Sequence, residues 1–300
     1  MAGLISSKRE LDEQIPSPAQ FNHVIAAVPL DGKILWMDTT AETASMGLLL
    51  APVRDKLGLA IPPAGNAHIE RTPANPPAPS LYNFLCTGQL DEHGHFTGHV
   101  EANIQGDVSV VLLNAFRNTP EAQWKELLQR AMRTQGFGGE ISNPEIGAAQ
   151  EPDKPFHEAM DYSREKFYQW KDEDSSHWID APMPLMGGEL APGIKQIKPA
   201  DDPELGALGS NVYESAMALP KDWTITLPPN VDLIENWAEY SAQYGFKNGT
   251  FHVRRILLMK MNSVPLEEWD KYLAFRRALF IDESHQSLIA PPGQGNHRRH

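Results

Sequence analysis

Cysteine is almost missing from this chain of 300 residues, which contains only Cys86. A single cysteine excludes an internal disulfide, so a hydrophobic core must hold the fold together, and a hydrophobic content of 41% can supply one. Cys86 lies in a strand-like run, where alternation places it on one face with Tyr82 and Phe84. We therefore predict a buried, unreactive thiol, because a reactive cysteine needs a helix N-terminus or a cationic neighbour.

Long apolar runs and clustered cations are also missing. No stretch reaches the ~20 apolar residues that span a bilayer, and residues 1–7 lack the basic and apolar regions of a signal peptide. The formal net charge is -13, and the one basic cluster lies at residues 297–300. These features predict no membrane span, and they argue against nucleic-acid binding, which requires clustered Lys and Arg side chains.

Proline divides the chain into parts. Six prolines between residues 62 and 80 forbid a helix and disfavour a central strand, so we predict a linker or an extended crossing segment there. Residues 1–61 hold a hairpin and a further strand, residues 81–287 have the pattern of strands separated by turns, and residues 288–300 are predicted to be a disordered tail. The predicted class is mainly β with a few helices (α+β), with an antiparallel β-sandwich-like second domain.

Local patterns predict several elements of the second domain. Residues 107–113 are rich in valine and predict a strand. A helix is expected to follow from Pro120 to Gly136, with Thr119 as its cap. Asn248-Gly249 between two strand-like runs predicts a hairpin. Further strands are expected at residues 162–170, 177–180 and 223–227, and a last helix after Pro265.

A histidine and an aspartate occupy the two arms of the first predicted hairpin. Asp31-Gly32 accepts the positive φ angles of a two-residue turn and separates the two arms. With that loop, Ile25 faces Asp38, and His23 lies on the same face at the diagonal position, about 7 Å away. We therefore predict a hydrogen bond between His23 and Asp38. A carboxylate that binds an imidazole fixes its tautomer and orientation, as a general base for a thiol or hydroxyl nucleophile requires.

Spacing alone leaves a plainer interpretation open. A histidine and an aspartate on one hairpin face are more often a surface pair, or a half-buried histidine with its hydrogen bond satisfied, than a catalytic pair. Metal binding has less support, because His93, His95 and His99 share a strand parity but no carboxylate or cysteine is placed to complete a shell. We predict no metal site and no cofactor.

The segment AGLISSKRELDEQIPSPAQFNHVIAAVPLDGKILWMDTT resembles the second half of a transglutaminase-like domain, as found in bacterial proteins with an extra β-sandwich at each end. That papain-like family has, in chain order, a cysteine at a helix start, a histidine on a strand and an aspartate on the next strand. His23 matches the histidine and Asp38 the aspartate, with Trp36 at the usual aromatic position. Thr39 differs, since many relatives have proline there. Downstream the resemblance is one of general pattern.

The resemblance implies a Cys-His-Asp site for acyl transfer or amide hydrolysis on a protein or peptide substrate. In this family the catalytic cysteine precedes the histidine, yet none of the 22 residues before His23 is a cysteine. We therefore expect a truncated domain that is inactive as this chain. An apolar patch should be left uncovered around Phe21, Val24, Ile25 and Trp36 unless a later segment fills the space. The alternative is a non-catalytic β-sandwich binding or scaffolding module in which the His-Asp pair is only structural.

Overall fold

A computed structural model describes residues 1–7, 11–15, 17–147, 154–165, 167, 175–186 and 197–292. In these ranges the chain forms sixteen strands in three sheets and three α-helices. The prediction of a mainly β fold with a few helices is confirmed. Within the same ranges, no helix is both long and apolar enough to cross a bilayer.

The first sheet contains the His-Asp hairpin. Its strands are β1 (Ala2–Ile5), β2 (His23–Leu30), β3 (Lys33–Met37), β4 (Leu57–Ile61) and β5 (His68–Arg71). They lie in the order β3-β2-β1-β4-β5, with every neighbouring pair antiparallel. Asp31 and Gly32 have φ angles of 49° and 76°, so the predicted two-residue turn is confirmed, with Leu30 opposite Lys33.

The middle of residues 62–80 is an edge strand, which the prediction of a linker or an extended crossing segment did not include. Strand β5 lies inside that segment and pairs with β4 at the edge of the first sheet. β5 itself contains no proline, and an edge strand tolerates prolines on either side because only one of its edges makes ladder hydrogen bonds. The segment therefore completes the first sheet before it leads to the second.

Other residues of the chain cover one face of the first sheet and leave the opposite face exposed. Leu49 and Val53 pack on the inner face, where five side chains are buried: Ile5, Ile25, Ala27, Trp36 and Ala60. The outer face is apolar and exposed at Val24, Val28, Leu30, Ile61 and Ile69. The expected patch is uncovered at Val24, which is 54% exposed, and Phe21 is half-buried. Ile25 and Trp36 are 2% and 3% exposed, because the later residues Leu49 and Val53 fill the space on the inner face, as the expectation allowed.

The second sheet has eight strands. They are β6 (Ser80–Leu90), β7 (Phe96–Gln105), β8 (Glu140–Gly147), β9 (Phe156–Arg164), β11 (Gly209–Ala218), β13 (Val231–Ile234), β14 (Ala238–Lys247) and β15 (Thr250–Met259). Their order is β13-β14-β15-β11-β6-β7-β9-β8. The central pair β6 and β11 is parallel and all other pairs are antiparallel, so the sheet is not wholly antiparallel as predicted.

A third sheet packs against the core of the second. It contains β10 (His177–Ile179), β12 (Thr224–Thr226) and β16 (Ser287–Ala290), in the order β10-β16-β12. The prediction that a disordered tail begins at residue 288 is therefore wrong, because β16 is the middle strand and its Ser287 and Ile289 are buried. Residues 293–300, with the basic cluster, lie outside the described residues.

Three helices lie beside the second sheet: α1 (Asp107–Arg117), α2 (Trp124–Thr134) and α3 (Trp269–Glu283). The strand predicted at residues 107–113 is wrong, since these residues begin α1. Buried Ser109, Val110, Leu113 and Phe116 follow a helical period, whereas Val111 is 62% exposed. The β-branched composition indicated a strand, but packing of the helical stripe determined the structure.

The start of α2 also differs from its prediction. A 3-10 turn at residues 121–123 precedes Trp124, and the Thr119 hydroxyl donates to the Ala115 carbonyl of α1 instead of capping α2. The predicted end is confirmed at Gly136, whose φ of 77° suits glycine.

Predictions near the C-terminal half have mixed outcomes. The hairpin at Asn248-Gly249 is confirmed, with φ angles of 52° and 77°. The helix expected after Pro265 is α3, which follows a 3-10 turn. The strand expected at residues 162–170 is the end of β9, which stops at Arg164, and residues 166 and 168–170 lie outside the described part.

Candidate functional site

The His23 and Asp38 side chains meet at one end of the first sheet. His23 begins β2, and Asp38 directly follows β3. Ala26 faces Met37, so the next residues, Ile25 and Asp38, face each other and His23 takes the diagonal position. The distance from His23 Nε2 to Asp38 Oδ2 is 2.8 Å, and the predicted hydrogen bond is confirmed.

The pair lies at the margin of the buried inner face. Alternation along β2 places His23 on the same face as Ile25 and Ala27, both of which are buried. The Asp38 side chain is 7% exposed, and that of His23 is 24% exposed. The carboxylate is thus shielded from water, whereas the imidazole remains within reach of a reactant.

Asp38 is held as a carboxylate. Its partial burial raises its pKa, but hydrogen bonds from the Thr40 hydroxyl, from His23 and from the Thr40 backbone N–H outweigh burial and give a net lowering. The Thr40 hydroxyl donates to Oδ1 over 2.7 Å, and the Thr40 N–H donates to the same oxygen over 3.0 Å. Oδ2 is left for the imidazole.

The orientation of the pair selects one ring nitrogen of His23 for chemistry. An ionised carboxylate only accepts hydrogen bonds, so a neutral imidazole beside it carries its proton on Nε2. Nδ1 then has the free lone pair, and it makes no hydrogen bond to the described residues. Nδ1 is therefore the atom that can take a proton from a nucleophile.

Cys86 cannot supply that nucleophile. It lies in β6 of the second sheet, in the core of that sheet, with no exposed surface. Burial raises the pKa of its thiol to about 12. The prediction of a buried cysteine is confirmed. The chain has no other cysteine, so no thiol of this chain can serve as a nucleophile for the His23-Asp38 pair.

Alkylation measures the reactivity of Cys86. With iodoacetamide at neutral pH, we expect the native chain to be labelled at least about tenfold more slowly than the chain in urea, because only the thiolate reacts and burial suppresses it. Mass spectrometry of timed samples gives both rates. Rapid labelling of the native chain, together with an acyl-transfer activity that is lost in Cys86→Ala, would contradict this account.

A second His-Asp pair was missed by sequence reasoning. On the outer face of the second sheet, His99 Nδ1 lies 3.1 Å from Asp161 Oδ1, and the Asn143 amide donates to Asp161 Oδ2 over 2.7 Å. The hydrogen bonds from Asn143 and then His99 lower the pKa of Asp161. Both side chains of the pair are about half exposed, 50% and 51%, so they form a surface pair in water.

No local sequence pattern predicts this second pair, because its two residues are 62 positions apart, with two helices between β7 and β9. Only the register of β7 with β9 places His99 opposite Asp161. Within the described ranges, no group of three or more His, Cys, Asp or Glu side chains could hold a metal ion. His95 Nδ1 lies 3.5 Å from Oδ2 of Asp91, which belongs to the same turn.

Comparisons with known proteins give no family assignment. No protein family and no curated protein matches the sequence. Among solved structures, an M1 zinc metallopeptidase from Deinococcus radiodurans, bound to a Tyr-Ser-Ala substrate, matches with 9% identity and a TM-score of 0.21. The match covers 70% of this chain and 41% of the metallopeptidase chain. A similarity this low carries no argument about fold or function.

Proposed function

We propose that His23 and Asp38 are the base and the orienting acid of a transglutaminase-like acyl-transfer site whose thiol is not carried by this chain. The observation that supports the proposal is the 2.8 Å hydrogen bond from His23 Nε2 to an Asp38 carboxylate that is itself fixed by Thr40. The resemblance of the surrounding segment to the transglutaminase-like family supports the proposal further, because that family also has its histidine and its aspartate on consecutive strands.

Each group has a defined role in the proposed reaction. His23 Nδ1 takes the proton of a thiol, and the thiolate attacks the carbonyl carbon of a glutamine or peptide amide. The same nitrogen then returns the proton to the leaving amine, and a thioester remains. Asp38 stabilises the imidazolium that exists between the two transfers. An amine or a water molecule finally cleaves the thioester and releases the thiol.

A small thiol in solution can replace the missing nucleophile in an assay. We would mix the chain with a p-nitrophenyl ester of a glutamine-like acyl group and N-acetylcysteamine, and measure thiol-dependent release of p-nitrophenol. We expect His23→Gln and Asp38→Asn to lower the rate above background by about tenfold, because an unpositioned thiol uses only part of the 10²–10⁴-fold that a positioned base contributes.

The surface pair provides matched controls. His99→Gln and Asp161→Asn change the same chemical groups in an exposed setting and should keep the wild-type rate. Without added thiol, a glutamine peptide and an amine should give no cross-linked or deamidated product. A rate that survives His23→Gln, or that falls equally in His99→Gln, would refute the proposed function.

A further inference from the structure

Thr40 holds the Asp38 carboxylate by Oδ1, the oxygen that does not bind His23. We infer that Thr40 is a positioning residue of the pair: by occupying Oδ1 it presents Oδ2 to His23 Nε2. This inference rests on the proposed function and adds a residue to the same site. Its basis is that both donors of Thr40, the hydroxyl at 2.7 Å and the backbone N–H at 3.0 Å, bind one oxygen and leave the other for His23.

An aspartate needs such a restraint to orient an imidazole. The terminal torsion of an Asp side chain is broad, so a carboxylate held at one oxygen only can rotate away from its partner. The two bonds from Thr40, with the Ala41 N–H to Asp38 carbonyl bond of 3.2 Å, close a turn directly after β3 and fix that torsion. The restraint acts on His23 only through Asp38.

The chain offers a matched control one residue earlier. Thr39 has the same side chain and is also exposed, yet it makes no hydrogen bond to the described residues. Changes at Thr39 therefore disturb the turn without removing a contact to Asp38. Valine has nearly the shape of threonine but no hydroxyl, so Thr40→Val removes the hydroxyl bond and keeps the backbone bond.

Nuclear magnetic resonance separates positioning from mere stability. We would measure the Asp38 pKa from the chemical shift of its carboxyl carbon during a pH titration. We would also measure how fast the His23 Nε2–H proton exchanges with water. In Thr40→Val we expect the Asp38 pKa to rise by about half a unit to one unit, because one hydrogen bond to the charged form is lost. The Nε2–H proton should exchange faster, and the thiol-dependent rate should fall a few-fold. Thr40→Ser should restore all three, and Thr39→Val should change none.

The outcomes distinguish this inference from the proposed function. An unchanged Asp38 pKa and Nε2–H signal in Thr40→Val would overturn the positioning role, as would equal changes in Thr39→Val. If both signals move as expected while the wild-type chain shows no His23-dependent rate, the positioning role stands and the proposed acyl-transfer function fails.

Discussion

Replacing Arg255 with methionine is expected to lower the free energy of unfolding by about 3–5 kcal/mol, whereas the same change at its neighbour Arg254 should cost at most about 1 kcal/mol. The two arginines are adjacent on β15 and point to opposite faces of the second sheet. Arg255 is 4% exposed, and the Arg254 side chain is 47% exposed.

The difference follows from the partners of each guanidinium. Arg255 Nε donates to Asp282 Oδ2 over 3.1 Å, and its Nη2 donates to the Tyr244 hydroxyl and the Asp282 carbonyl, both at 3.1 Å. Asp282 has no exposed surface and also accepts from Tyr240 and Tyr244. Without the guanidinium, the buried Asp282 carboxyl group would keep only hydroxyl partners for its side chain, and breaking a buried ion pair in this way carries a large penalty.

Arg254 has a different setting. Its Nε donates to Glu214 over 2.7 Å, but both side chains are about half exposed and water can replace either partner. Urea unfolding of the two variants, followed by circular dichroism, measures the contrast. Adding Asp282→Asn to Arg255→Met should recover part of the loss, because it removes the unpaired charge. Equal losses in the two single variants would contradict the buried ion pair.

The parts of the fold that sequence could predict are those set by neighbouring residues. Asp31-Gly32 and Asn248-Gly249 each require positive φ angles at both turn positions, and that requirement fixes a hairpin and its register. Because register decides which side chains share a face, the contact of His23 with Asp38 followed from the first turn alone. The geometry of the His-Asp pair was therefore predictable from fewer than twenty residues of sequence.

The parts that sequence could not predict depend on distant packing. The valines at the start of α1 have strand propensity, and the helix forms because Leu113 and Phe116 complete a buried stripe against the second sheet. The parallel pairing of β6 with β11 joins residues more than 120 positions apart. The same holds for Arg255, whose inward direction follows from alternation on β15 but whose partner Asp282 lies on α3. Local pattern contains no information about such partners.

Glu158 is expected to make folding stability fall as the pH rises. Burial raises the pKa of this carboxyl group from its ordinary value of 4.5 to about 7. The residue is 4% exposed on β9, and its side chain makes no hydrogen bond to the described residues. The nearby Tyr82 is half-buried, and desolvation followed by the charge of Glu158 raises its pKa.

The direction of the effect follows from proton binding. A carboxyl group with a higher pKa in the folded chain binds more protons when folded, so the stability it provides is complete below about pH 4.5 and is lost as the pH rises to about 7. Above pH 7 the folded state carries the full cost of a buried carboxylate, about 3 kcal/mol. Glu158→Gln cannot ionise and should avoid that cost.

Urea unfolding at pH 5, 6, 7 and 8 tests this prediction. We expect Glu158→Gln to be more stable than the wild-type chain at pH 8 by about 2–3 kcal/mol, with the difference shrinking towards pH 5 as the wild-type carboxyl group becomes protonated. Glu101→Gln is the matched control, since Glu101 lies on the neighbouring strand β7 with its side chain 44% exposed. Its difference from wild type should stay within a few tenths of a kcal/mol at every pH. A difference for Glu158→Gln that does not change with pH would show that this carboxyl group titrates as it does in water, and the account of Glu158 as a buried carboxyl group would then be wrong.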